Sequence, residues 1–209
     1  MRTLHAAITQ IGVRRSASAG DVLMREGEPA DRVVALVSGR VKLERRSAAL
    51  VTAVVGIHGP GDVVGEIGAL TGSARTATVT TIERCSYVAA DAERFRRLVR
   101  ADAQLSAAAF AVVARRLGEA DGRLADHLVH DTRARVIHRL VELFGDAGDG
   151  ATLPLTQVEV AGLVGASLEA TAKVLRALRR DGFVSGGRGR IVLLDGAALV
   201  AAGEASRTR

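Results

Sequence analysis

Cysteine is nearly absent: Cys85 is the only one in 209 residues. A single thiol excludes an intramolecular disulfide and an iron–sulfur cluster held by the chain's own thiolates. Aromatic residues make up 2% of the chain and tryptophan is missing, so any core must be aliphatic. Lysine is scarce as well. Only Lys42 and Lys173 occur, and every other basic residue is arginine. No apolar run approaches the ~20 residues of a membrane span, and the opening residues, with Arg2 and His5, lack the apolar stretch of a signal peptide. A soluble, cytoplasmic protein without membrane partners is the expectation. What remains is ample for folding: 48% hydrophobic residues can fill sizeable cores. The length fits one large domain or two small ones. The formal net charge of +6 is compatible with nucleic acid without requiring it.

Residues 102–130 pass without proline and with only two glycines, Gly118 and Gly122. Phe110, Val113, Leu117, Ala120 and Leu124 return at alternating steps of three and four, and the next step lands on His127. That spacing is the a/d seam of a helix paired with another helix. Arg115, Arg116, Glu119, Arg123 and Asp126 fall on the other faces. A long amphipathic helix lying on its own core would share the periodicity, but so narrow a seam suits a partner helix better than a broad core. These six residues are the candidate dimer interface.

Before this helix the chain reads as β-sheet. Thr3 caps a short helix with Leu4 and Ile8 on one face. From Ser18 to Ala90, short Val/Ile/Leu/Thr runs alternate with glycine turns, which implies an antiparallel sandwich or barrel. Arg32 to Val37 and Arg40 to Glu44 flank Ser38-Gly39 as an expected hairpin; Thr76 to Thr81 and Ser86 to Ala90 read as closing strands. Asp91 caps a further helix with Phe95, Leu98 and Val99 inward. Asp102 is placed to cap the long helix. Asp131 interrupts the run, and Thr132 to Phe144 makes another helix. Gly145 to Gly150 is a connector.

Two segments carry chemistry. In Gly65-Glu66-Ile67-Gly68-Ala69-Leu70, followed by Arg75-Thr76-Ala77-Thr78-Val79, the glycines permit a tight turn with unshielded backbone N–H groups. Arg75 offers a fork that suits a pair of phosphate oxygens. Glu66 cannot bind phosphate, but a carboxylate nearby suits a sugar hydroxyl, and phosphate with ribose means a nucleotide. On spacing alone, an ordinary turn with a solvated arginine reads the same way. The second segment begins at Thr156, which precedes Glu159 by the spacing of a capping box. Small Ala161 allows close helix packing, Gly165 supplies a turn and Ser167 caps a second helix. This is the layout of a helix-turn-helix, whose second helix enters the major groove. Lys173, Arg176, Arg179 and Arg180 place positive charge along its later turns. Gly186 to Arg190, before the strand Ile191 to Leu194, suits a wing.

The run Gly-Glu-Ile, two residues, Leu, four residues, then Arg-Thr-Ala-Thr-Val resembles the phosphate cassette of cyclic-nucleotide-binding domains. Glu26 to Asp31 and Ser38 to Lys42 resemble that family's β-roll, and the segment from Thr156 to Arg176 resembles the winged helix-turn-helix of the Crp/Fnr transcription factors. The family order is kept over roughly residues 18 to 195. The resemblance implies an α+β chain of three parts: a β-roll sensor over 1–101, a dimerisation helix over 102–131 and a winged helix-turn-helix over 132–209. It implies a homodimeric regulator on near-palindromic double-stranded DNA, with RNA polymerase as a further partner and cyclic AMP, or another cyclic nucleotide, as ligand. By the same resemblance Gly65, Glu66 and Ile67 wrap the ribose and phosphate, Arg75 pairs with the phosphate and Thr76 donates to it. Glu169 and Lys173 match base-reading positions. Thr156, Gln157, Ser167, Leu168, Thr171 and Arg176 complete the expected DNA contacts, Ser167 and Thr171 at phosphates.

The chain also departs from the family. Leu168 stands where the family's receptor has an arginine that reads guanine. Ala120 and Asp121 stand where its long helix carries a Thr-Ser pair that touches adenine; Asp121 is the remaining candidate acceptor for the base. His127, His130 and His138 read as helix-face residues, so no metal is expected. Cys85 reads as inert core, and no catalytic constellation stands out, so no enzyme is expected.

Overall fold

The computed structural model describes residues 3–46, 52–187 and 189–207. Its chain divides into two compact units, between Ala120 and Asp121. The first opens with α1 (Leu4–Ile11), capped by the Thr3 side chain. The strands β1 (Val13–Ala17), β2 (Val22–Met24), β3 (Arg32–Ser38), β4 (Val41–Arg46), β5 (Thr52–His58) and β6 (Val63–Val64) follow. After the short helix α2 (Glu66–Thr71) come β7 (Thr78–Thr81), β8 (Cys85–Asp91), α3 (Ala92–Ala101) and α4 (Ala103–Val129). The strands form two four-stranded sheets, ordered β1-β8-β3-β6 and β2-β7-β4-β5, with antiparallel pairing throughout.

β3 explains why this unit has two cores. Its apolar residues run on without alternation because both of its faces are covered. Val33 and Ala35 join a cluster with Leu4 and Ile8 of α1, Phe95 and Val99 of α3, and Leu105 and Ala109 of α4. Val34 and Leu36 turn to the other side, against Leu23, Met24, Val41, Val79 and Cys85. Cys85 is buried there, as its reading as core requires.

The expected hairpin through Ser38-Gly39 does not form. β3 is already flanked by β8 and β6, so it has no free edge for β4, which pairs with β5 and β7 in the other sheet. Gly39, at φ +78°, carries the chain across between the sheets; a Cβ there would lie 2.4 Å from the Arg84 carbonyl oxygen. Only glycine fits both demands.

Aspartates punctuate the helices as expected. Asp91 accepts from the Arg94 N–H at 2.8 Å, and Asp131 from the Ala134 N–H at 2.8 Å. Asp102 accepts from the N–H groups of Gln104 and Leu105 at 2.9 and 3.2 Å. Each cap of this kind contributes about 1 kcal/mol.

The second unit contains α5 (Thr132–Phe144), β9 (Thr152–Leu153), α6 (Gln157–Val164), α7 (Leu168–Arg180), β10 (Val184–Ser185), β11 (Ile191–Leu193) and α8 (Gly196–Arg207). A three-stranded sheet ordered β10-β11-β9 lies beside the helices. Its core is chiefly aliphatic: Val136, Ile137, Leu140, Leu163, Leu175, Leu178, Ile191, Leu193 and Leu199 are buried, and Phe144 is the aromatic among them. Helix α8, whose Leu199 enters that core, is an element that periodicity alone did not reveal. The link from β10 to β11 turns at Gly186 (φ +110°) and Gly189 (φ +74°); Arg188, part of the expected wing, lies outside the described residues.

Candidate nucleotide pocket and DNA-reading helix

The turn before α2 is built from glycine for two reasons. Gly65 is left-handed at φ +79°, and a Cβ there would lie 2.7 Å from Arg75 Nη1 and from the Met24 side chain. Gly68 is equally close-packed, with Ala30 Cβ 2.8 Å from where its own Cβ would sit. The glycines therefore let the turn close over Arg75. That guanidinium is almost fully buried. Its Nη1 donates to the Gly65 carbonyl at 3.1 Å, and its Nη2 to Asp31 Oδ1 at 3.1 Å and to the Arg32 carbonyl at 2.7 Å. Burial lowers the arginine's pKa and Asp31 opposes that shift. Asp31 is itself 63% exposed, so the buried cation has only a solvent-weakened counter-charge.

Glu66 is the complementary case. Its side chain is fully buried. Arg116 Nη1 lies 3.0 Å from Oε1, yet neither carboxylate oxygen has an aligned hydrogen-bond donor. Close approach without alignment leaves the charge partly balanced and the lone pairs unmet. Burial accordingly raises the Glu66 pKa, and Arg116 pulls it back. Arg116 is anchored by donating Nη2 to the Val63 carbonyl.

Arg116 is a residue of this lining that the sequence did not disclose. It stands fifty residues from Glu66, on a helix face that reads as merely polar, and no spacing signal ties the two together. Met24, Leu43, Gly65, Ile67, Arg75, Thr76, Val79 and Arg116 line a cavity beside the carboxylate. It measures about 30 Å³, room for about one water molecule. Thr76 is exposed at its rim. Asp121 is exposed on α4.

The reading helix is placed by its caps. The Thr156 hydroxyl accepts from the Glu159 N–H at 3.2 Å, and Glu159 Oε2 accepts from the Thr156 N–H at 2.7 Å. Gly165, at φ +60°, turns the chain, and the Ser167 hydroxyl accepts from the Ala170 N–H at 3.1 Å to start α7. Leu168, Glu169, Lys173, Arg176 and Arg180 are exposed, while Thr171, Leu175 and Leu178 are buried. The steps 169, 173, 176, 180 keep one stripe to solvent, and 171, 175, 178 keep another to the core.

Thr171 is therefore a correction. It is 0% exposed, and its hydroxyl is buried without a partner, so it cannot reach a phosphate. Its place in the 171-175-178 stripe was the signal that excluded it. Ser167 is exposed, Thr156 is exposed and Gln157 is half-buried.

A β-domain with a glycine-built cassette, followed by a long helix and a capped helix-turn-helix with a basic outer stripe, is the architecture of a DNA-binding regulator with a nucleotide-binding type of domain. The comparisons agree. Residues 14–102 match the cyclic nucleotide-binding domain, and residues 134–202 match the Crp-like helix-turn-helix domain. The chain is 35% identical over 171 residues to the CRP-like cAMP-activated global transcriptional regulator of Mycobacterium tuberculosis, covering 79% of this chain and 76% of that one. It is 29% identical over 186 residues to the cyclic AMP receptor protein of Thermus thermophilus, covering 89% and 86%. FixK2 from Bradyrhizobium japonicum shares the fold at a TM-score of 0.79 and 21% identity, with 91% of this chain and 96% of that one covered. A CRP/FNR-family transcriptional regulator of Thermus thermophilus does so at 0.72 and 25%, with 93% and 100% covered. The chain belongs to the Crp/Fnr family of transcription regulators, with a cyclic nucleotide-binding domain followed by a DNA-binding helix-turn-helix.

Proposed function

We propose that this regulator acts as a homodimer on near-palindromic double-stranded DNA and responds to a 3′,5′-cyclic nucleotide, cyclic AMP first, bound in the β-domain; it carries no enzymatic activity, and RNA polymerase is its further partner. The observation that carries the ligand reading is Glu66: a buried carboxylate that Arg116 approaches at 3.0 Å without an aligned hydrogen bond, beside Arg75 and exposed Thr76 in one lining. A ribose hydroxyl supplies the missing donor, and the cyclic phosphate supplies Arg75 with an anion in place of backbone carbonyls and the exposed Asp31. Relatives whose names record activation by cyclic AMP support the same ligand. The dimer reading rests on α4, where Phe110, Val113, Leu117 and Leu124 stand exposed at 77%, 38%, 62% and 61%. So apolar a stripe at a/d spacing is what a second copy of the same helix covers.

A calorimetric titration of the wild-type chain and of Arg75→Ala with cyclic AMP and cyclic GMP tests the ligand. Binding by the wild type that falls tenfold or more in the variant is the expected result, since a charge-assisted hydrogen bond contributes about 1.5–3 kcal/mol. No binding by the wild type, or equal binding by the variant, favours a second reading: a regulator of the same fold whose sensor takes another ligand or none. That reading has its own support. The pocket holds about 30 Å³, Arg75 already has three acceptors, and Arg116 already faces Glu66.

A further inference from the structure

Asp126 in the last turn of α4, His130 one residue beyond its end and His138 on α5 come together within the second unit. One donor atom from each lies within 4.8 Å of the others. Asp126 Oδ1 stands 3.8 Å from His130 Nε2, and Asp126 Oδ2 stands 4.0 Å from His138 Nδ1. The two imidazoles meet edge to face at 4.9 Å.

His138 decides what the cluster can do. Its ring is 8% exposed. Nε2 lies 3.1 Å from the Gly203 carbonyl and 2.8 Å from Ser206 Oγ. The Ser206 hydroxyl already gives its one proton to the Gly203 carbonyl at 2.7 Å. Both neighbours of Nε2 are therefore acceptors, so Nε2 carries the proton. Nδ1 is then the atom turned toward Asp126, and it is buried with no hydrogen-bond partner.

A lone pair facing a carboxylate is repulsive unless positive charge or a donor lies between them. A proton on Nδ1 does not close the gap, because 4.0 Å exceeds the ~2.7–3.2 Å of a hydrogen bond. A metal ion does. With bonds of about 2.0–2.2 Å, tetrahedral donors stand roughly 3.4 Å apart, so side-chain rotation has to draw in donor atoms that now stand within 4.8 Å of one another. An imidazole whose other nitrogen donates to a carbonyl or hydroxyl is also the usual second-shell arrangement of a metal-ligating histidine.

We propose that Asp126, His130 and His138 bind a divalent transition-metal ion, zinc or a neighbour such as cobalt or nickel, with water completing its coordination. Two imidazoles and one carboxylate suit these ions and offer too little oxygen for calcium or magnesium. The guanidiniums of Arg135 and Arg139 line the cavity beside Asp126 and His138 and disfavour a purely electrostatic cation; Arg139 is paired with Glu142, and Arg135 contacts His127. Asp126, with 43% of its side chain exposed, leaves the ion a way in from solvent. The bound ion ties the last turn of α4 to α5.

Zinc and cobalt titrations of the full chain, freed of any histidine tag, test this. The wild type takes up one ion per chain, cobalt develops the visible absorption of a four-coordinate site, and zinc raises the melting temperature. His130→Gln and Asp126→Asn, both at half-buried positions, weaken binding at least tenfold and abolish the thermal shift. Less than one ion per chain at sub-millimolar zinc, or unchanged affinity in both variants, overturns the site. The readout is independent of any nucleotide.

Discussion

At the scale of single residues, three side chains carry consequences that their partners make specific. Glu66 titrates above its ordinary value of 4.5 because burial disfavours the charged form, with Arg116 opposing. From pH 4.5 up to that raised value the folded chain holds a proton that the unfolded chain has released. Stability therefore falls as pH rises through this window and is fullest below it. Denaturant titrations should show the wild type losing stability relative to Glu66→Gln across the window; parallel curves would mean that Glu66 is not shifted. Thr171 makes a second case. Its buried hydroxyl lacks a partner, and replacing an unsatisfied polar group by an apolar one of the same shape is close to neutral or stabilising. Thr171→Val should leave operator affinity unchanged and the melting temperature equal or higher, whereas a weakening of DNA binding by the change would restore the phosphate-contact reading. Leu168 is the third: it cannot hydrogen-bond guanine but can meet a thymine methyl, while Glu169 can accept from cytosine N4.

At the scale of elements, α4 and α7 each show one face to solvent that is unlike the rest of the surface. Leu117→Asp places a charge in each copy of the proposed helix pair, and unpaired buried charge is costly. Sedimentation should find monomers and a band-shift assay should find lost operator binding; a dimer with normal affinity would remove α4 from the interface. On α7 the exposed cations are expected to act through phosphates or bases. Arg176→Ala should weaken binding to all sequences alike and lower the slope of log affinity against log salt by about one, the signature of a lost phosphate contact. Lys173→Ala should instead relax the choice of base at one position, which selection from random DNA would reveal. The same selection should recover half-sites about one helical turn apart.

At the scale of the whole molecule, the proposed ligand must favour one state of the regulator over another, and it does so only by its differential affinity. Ala120 and Asp121 occupy the α4 positions where the family resemblance places the base. With a methyl and a carboxylate there, cyclic nucleotide is expected to bind with dependence on Arg75, yet to change operator affinity only modestly. Adenine and guanine both carry an exocyclic amino group from which Asp121 can accept, so selectivity between them should be loose. Measuring operator affinity with and without saturating cyclic AMP checks this; a shift of several hundredfold would show that coupling does not need the Thr-Ser pair.

The sequence by itself determined the local order of this protein. Caps at Thr3, Asp91, Asp131, Thr156 and Ser167, the helix over 132–144 and the turn glycines of the cassette are readable because each depends on residues a few positions apart. The cassette and the reading helix were legible for the same reason: both are contiguous motifs. Tertiary structure decided what depends on distant neighbours. Ser38-Gly39 has hairpin chemistry, but β3 had both edges filled by β6 and β8, so β4 went to the other sheet. Arg116 reads as a solvated helix charge until folding lays it 3.0 Å from a buried Glu66. His130 and His138 read as scattered helix-face residues until the link between α4 and α5 turns them toward Asp126. In each case the deciding interaction joins residues with no periodic relation in the chain, and only packing brings them within reach.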